Sequence, residues 1–170
     1  MLNKPSSAIP EVMGDPFTVP KWDDFIQRHP LQAGLAADAL INLADFHPGE
    51  FTGINDIVNG CVYTPDQRDR WEINAGGDCE DKALAKRYLL HRQLEIPLEA
   101  MRLTIGKAMD GTDHAVLTLR TTNGDYLLDN NQVLIVPWQK GTIERFTMWH
   151  IGGPFWQRLA AIKSITREAV

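Results

Sequence analysis

Gly76-Gly77-Asp78-Cys79-Glu80-Asp81-Lys82-Ala83 is the stretch on which the reading of this chain turns. Two glycines and an acid lead into a thiol, and the residues beyond it place Ala83, Leu84, Leu90 and Leu94 at helical spacing, with Pro97 following. The pattern predicts a loop that runs into a helix over 79–94. A thiol is a nucleophile only as thiolate, and an ordinary cysteine, with a pKa of about 8.5, is mostly protonated at neutral pH. A helix N-terminus favours negative charge and so favours the thiolate. Two glycines let the backbone come close to a substrate and offer N–H groups to an oxyanion. The acids beside Cys79 act the other way, because neighbouring anions raise a thiol pKa. The second cysteine sits in Val58-Asn59-Gly60-Cys61-Val62-Tyr63 and reads as a small buried hydrophobe.

A thiolate of this kind needs an imidazole, and five histidines compete. His29 and His47 stand beside prolines and read as surface residues. His91 follows Cys79 on the same helix, about 18 Å further along its axis at 1.5 Å per residue. His150 belongs to a tryptophan-rich strand and reads as packed. His114 remains, opening an alternating segment over 114–121 directly after Asp110-Gly111-Thr112-Asp113. The acid to orient it is Asp129, inside the next extended segment, 126–131, beside apolar Leu127 and Leu128.

Register tests this pairing. A two-residue turn at Asn123-Gly124 would set His114 opposite Val133, leaving Asp129 about 13 Å away at 3.3 Å per residue. A four-residue loop over 121–124 sets Val116 opposite Asp129 and makes His114 its diagonal neighbour, roughly 7–8 Å away at Cα. The pairing therefore requires the longer loop or a bulge of equal effect.

The remainder reads as helices followed by strands. Residues 1–20 hold four prolines and read as an extended arm; helices are expected over 22–29, 31–45 and 51–59, and polar loop over 63–70. Strands are expected over 101–105, 114–121, 126–131, 132–138 and 145–151, with a closing helix over 155–168. Helices first and antiparallel strands afterwards give an α+β domain over 21–170 behind the 1–20 arm. Of the tryptophans, Trp71 is the candidate wall of a substrate cleft.

Composition excludes other classes. With 170 residues, 44% apolar, 23% charged and a net charge of −5, the chain lacks the basic footprint of a nucleic-acid binder. No apolar run of about 18 residues is present to span a membrane. The first residues show no signal-peptide core, so a cytoplasmic or phage-associated protein is expected, or a periplasmic one if a leader has been trimmed.

The Gly-Gly-Asp-Cys-Glu-Asp motif, the helix after it, His114-Ala115-Val116-Leu117 and Tyr126-Leu127-Leu128-Asp129-Asn130 resemble the bacterial transglutaminase-like cysteine proteinases, over about residues 55–138. That family includes periplasmic calcium-dependent proteases that release biofilm adhesins from the cell surface. The resemblance implies a papain/transglutaminase-like fold, with N-terminal helices and the nucleophile helix packed on an antiparallel sheet. It implies Cys79 as nucleophile, His114 as base and Asp129 as orienting acid, acting on a protein or peptide substrate through a thioester. It also implies calcium held by Asp78, Glu80 and Asp81, though three carboxylates fall short of the six to eight oxygens that calcium takes. Two alternatives stay open from sequence: a non-catalytic binding or assembly module on the same fold, and a transglutaminase with an amine acceptor.

Overall fold

The computed structural model describes residues 7–11 and 14–162. The helix predicted at the thiol forms as α3, Cys79–Leu94, and its ends follow from local chemistry. Asp78 caps it, accepting a hydrogen bond from Asp81 N–H, and Glu95 closes it in the left-handed conformation (φ 57°). Two further helices precede it, α1 (Pro20–Arg28) and α2 (Pro48–Asn59). His47 starts α2 by accepting from Gly49 N–H, while Glu50 reaches back to the His47 N–H.

The strands are β1 (Phe17–Thr18), β2 (Met101–Ala108), β3 (Asp113–Thr121), β4 (Gly124–Leu128), β5 (Val136–Pro137), β6 (Ile143–Gly152) and β7 (Phe155–Arg158). Among the described residues they form one antiparallel sheet in the order β1-β7-β6-β2-β3-β4-β5. Helix α3 lies across β3 and β2 and packs against α2. Apolar residues fill both faces of the sheet. Trp22, Phe25, Leu84, Leu90, Leu103, Leu117 and Trp156 belong to the helical side, and Ile9, Val116, Phe146, Trp149 and Leu159 to the other. The chain before α1 runs along the sheet: Asp125 N–H donates to Ser7 O, and Ile9 N–H donates to Asp125 Oδ2. Among the described residues no helix is long and apolar enough to cross a membrane.

Two expected helices are absent. Residues 31–45 form only single 3₁₀ turns, at Pro30–Gln32 and Leu43–Asp45. Of the apolar positions that gave the helical period, Leu35 and Leu40 are exposed, Ala39 is half-buried and Leu43 alone is buried, so a helix here would have little apolar face to bury. The chain is held instead by the sheet: Ile41 N–H donates to Arg120 O, Thr122 N–H to Ile41 O, and Gly153 N–H to Ala33 O. At the other end, 155–158 is strand β7, because the edge of β6 offers a full ladder and Trp156 is buried there against Trp22 and Trp71. Residues 163–168 of that expected helix lie outside the described residues. Of the strand expected over 132–138, only Val136–Pro137 pairs.

Candidate active site

The turn between β3 and β4 determines whether His114 meets Asp129. Thr121 pairs with Gly124, so the turn is the two residues Thr122-Asn123, tightened by Thr121 Oγ1 donating to Gly124 O and accepting from Asn123 N–H. Gly124 takes φ 103°, which a side chain would oppose. The turn is shorter than the four-residue loop expected but lies one residue earlier than Asn123-Gly124. The register is therefore the required one: Leu117 faces Leu128, and the next pair along is Val116 and Asp129. Asp129 stands one residue past β4 rather than within it.

His114 and Asp129 meet at 2.7 Å, Nε2 to Oδ1, both buried. Asp129 also accepts from Asn131 N–H at 2.9 Å and from the Thr142 hydroxyl. Burial alone would push its carboxyl up, but the His114, Thr142 and Asn131 hydrogen bonds outweigh that and hold it below the usual carboxylate range. An anionic Asp129 can only accept, so His114 Nε2 donates to it. Asn59 on α2 fixes the Asp129 backbone, donating to Asp129 O and Gln132 O.

Cys79 is the first residue of α3, half-buried and free of any disulfide. The backbone N–H of Ala115, the residue after His114, faces its sulfur. Its thiol donates to Glu80 Oε2 at 3.2 Å. Burial, then the Glu80 carboxylate, and Asp78 further off, push the thiol up to about 12, against the lowering by Ala115 N–H. The opposition between helix and acids read from the sequence is thus resolved against the thiolate, by burial first and by the acids second.

The acids themselves are arranged differently from the expectation. Carboxylate oxygens of Asp66, Asp78 and Asp81 lie within 4.8 Å of one another. Glu80 turns to the thiol, and Asp66, from the loop before Cys79, completes the group. Burial, with Glu80 next, raises Asp78 to about 7; burial, with smaller contributions from Asp66 and Glu80, raises Asp81 to about 6. The set is built for its position. Asp81 Oδ1 accepts from Glu72 N–H, Asp66 accepts from Arg68 N–H and Arg70 N–H, and a Cβ on Gly77 would collide with Asp81 Oδ2. Hard oxygen donors held in this way fit a calcium-like cation. An open cleft of about 260 Å³ adjoins them, lined by Thr64, Asp66, Arg70, Glu72, Gly77 and Asp81. Cys79 is not among its walls, so the cleft belongs to the acids rather than to the thiol.

Two buried lysines of α3 that the sequence reading passed over lie close to these groups. Lys82 is buried and donates to Val58 O, Cys61 O and Ala75 O at 3.0, 2.8 and 2.7 Å, tying the end of α2 to the glycine turn. Lys86, two turns on from Cys79, is buried and in the field of Asp129. Burial draws its ammonium down to about 7 against the pull of that carboxylate. The other histidines are occupied elsewhere: His91 with Ile96 O, His150 with Gly153 O, His47 at its cap, and His29 against the Phe25 ring. Trp71 is core, packed on Trp156. Cys61 is half-exposed rather than buried, its thiol donating to Ile57 O.

The fold is similar to solved structures of Legionella pneumophila LapG. The calcium-bound form matches at 20% identity and a TM-score of 0.56, covering 71% of this chain and 79% of LapG. A second LapG structure matches at 21% identity and 0.56, covering 71% and 74%. The EGTA-treated form gives 22% and 0.51, over 59% and 61%. No curated protein matches the chain. The sequence profile of the bacterial transglutaminase-like cysteine proteinases (BTLCP) matches residues 21–150, well over half of the chain. Profile, fold and thiol-bearing helix agree, and the chain belongs to that family of cysteine peptidases.

Proposed function

We propose that the protein hydrolyses a polypeptide through a thioester on Cys79, with His114 as base and Asp129 as the acid that orients it. The observation that carries this reading is the buried His114–Asp129 pair at 2.7 Å, beside the strand position whose Ala115 N–H faces the Cys79 sulfur. His114 Nδ1 takes the thiol proton. The sulfur lone pair forms a bond to the substrate carbonyl carbon, and the carbonyl π pair moves onto oxygen. Collapse of that intermediate expels the amine, which leaves with the proton from Nδ1, and water attacks the thioester by the same proton path in reverse. Asp129 stays ionised throughout and balances the imidazolium.

Asp66, Asp78 and Asp81 would hold a hard divalent cation, and LapG has been obtained calcium-bound. When bound, such an ion supplies positive charge beside the acids that otherwise oppose the thiolate.

The test is incubation with unfolded casein in calcium buffer, with fragments read by mass spectrometry, for the wild type and Cys79→Ala. Fragments made by the first and not the second are expected. Casein left whole, or cut equally by both, would remove the peptidase reading. A fluorescent amine included in the mixture reports transfer in place of hydrolysis.

A further inference from the structure

The backbone N–H of the nucleophile has no partner within its own helix. Cys79 opens α3, and the first N–H groups of a helix have no carbonyl one turn back to bind. The cap side chain of Asp78 is committed to Asp81 N–H, and its carbonyl to Lys82 N–H. In thiol acyl transfer the N–H of the attacking residue is aimed where the carbonyl oxygen becomes an anion. Here it faces the hydroxyl of Tyr63.

Tyr63 is held in that place from both sides. On one side, Lys82 Nζ joins Cys61 O to Ala75 O. On the other, Thr64 N–H donates to Gly77 O at 3.3 Å. The segment 61–64 is thereby fastened along the glycine turn that delivers Cys79, and a Cβ placed on Gly76 would stand 3.7 Å from the Val62 carbonyl. Tyr63 is 49% exposed, so a substrate arriving from solvent can reach the residue.

We propose that Tyr63 is a catalytic residue, the second oxyanion donor, its O–H and the Cys79 N–H together holding the carbonyl oxygen of the acyl group under attack. This rests on the cysteine-nucleophile reading above. In the resting protein the Cys79 N–H is directed at the phenol oxygen. When substrate binds, the carbonyl oxygen takes over that N–H and the phenol turns its proton to the same atom. As the Cys79 sulfur bonds to carbon, the π pair becomes the oxyanion between the two donors. When the pair returns, the leaving group departs and both donors are released.

The experiment compares two reactions of the same sulfur in calcium buffer. With 4-nitrophenyl acetate, attack passes through an oxyanion, expels 4-nitrophenolate and leaves acetyl-Cys79. With iodoacetamide, sulfur displaces iodide at a saturated carbon and no oxyanion forms. Removal of one oxyanion donor lowers rates by about 10²–10³-fold in a demanding reaction. For this activated ester, Tyr63→Phe is expected to slow acylation at least about tenfold while alkylation of Cys79 stays within about twofold. Equal or faster acylation in Tyr63→Phe would overturn the assignment and make the phenol a plug. Parallel slowing of both reactions would also overturn it, since Tyr63 would then be positioning the thiol. Wild-type protein that is alkylated but never acylated at Cys79 would sink the acyl-transfer reading itself, and the Tyr63 role with it. Acylation of the wild type but not of Cys79→Ala separates the two failures.

Discussion

Replacing Lys82 by Met keeps a chain of similar length and removes one ammonium from beneath the nucleophile. Its three carbonyl partners are at 3.0, 2.8 and 2.7 Å, and each hydrogen bond from a charged donor contributes about 1.5–3 kcal/mol net. Three such bonds sum to roughly 5–9 kcal/mol. Against this, the substitution recovers the cost of burying an ammonium, several kcal/mol after relaxation. The difference leaves a loss of about 2–4 kcal/mol, or a Tm roughly 4–16 °C lower for a chain of this size. Urea unfolding followed by tryptophan fluorescence measures it, with Lys107→Met as control. Lys107 makes an ion pair with Asp113 at the surface, and its removal is expected to cost under about 0.5 kcal/mol. The local effect should exceed the global one: proteolysis or hydrogen exchange should open 61–64 first, because that segment loses its tie to the glycine turn. A Lys82→Met loss below about 1 kcal/mol, or one equal to the control, would refute the reasoning.

Calcium at a hundred times its dissociation constant is expected to stabilise the protein by about 2.7 kcal/mol, a Tm rise of roughly 5–11 °C. Asp66→Asn should remove most of that rise; the same rise in Asp66→Asn would exclude Asp66 from the ligand set. His150 is pushed down to about 3, first by burial and then by Arg87. Its folded pKa lies below the unfolded value of about 6.5, so between these pH values the unfolded chain binds the extra proton and stability falls as pH falls. His150→Gln should therefore flatten the stability profile by on the order of 2–3 kcal/mol between pH 6.5 and 4.5, read from urea midpoints. Parallel profiles for the two proteins would contradict it.

The candidate site residues were legible where local chemistry and order along the chain suffice. Asp78, Cys79 and the apolar spacing of 83–94 specify α3 without outside help, and an antiparallel β3–β4 pair specifies which acid can reach His114. Elsewhere the periodicity pointed to the wrong element. Leu35 and Leu40, two of the four positions that gave 31–45 its helical spacing, have no partner surface, and Trp156 is strand because β6 presents an open edge. Both outcomes depend on tertiary structure that a local window does not contain. Asp66 and Tyr63 lie in a polar loop with no periodic signal. They reach the site through the Lys82 and Thr64 hydrogen bonds, which join residues distant enough in sequence that nothing local announces them. Glu80 shows the reverse case. It has the sequence position of a cation ligand, but its side chain turns to the sulfur.

The most direct test of the central claim, that Cys79 and His114 act as a pair, is the iodoacetamide alkylation rate of Cys79. It is followed by peptide mass spectrometry from pH 5 to 9, in calcium and in chelator, for wild type and His114→Ala. The account predicts fast alkylation well below pH 8.5 in calcium, its loss in His114→Ala, and in chelator a thiol that stays unreactive across the range. Cys79 reacting no faster than Cys61, or identically with and without His114, would contradict it and leave the fold as a binding module.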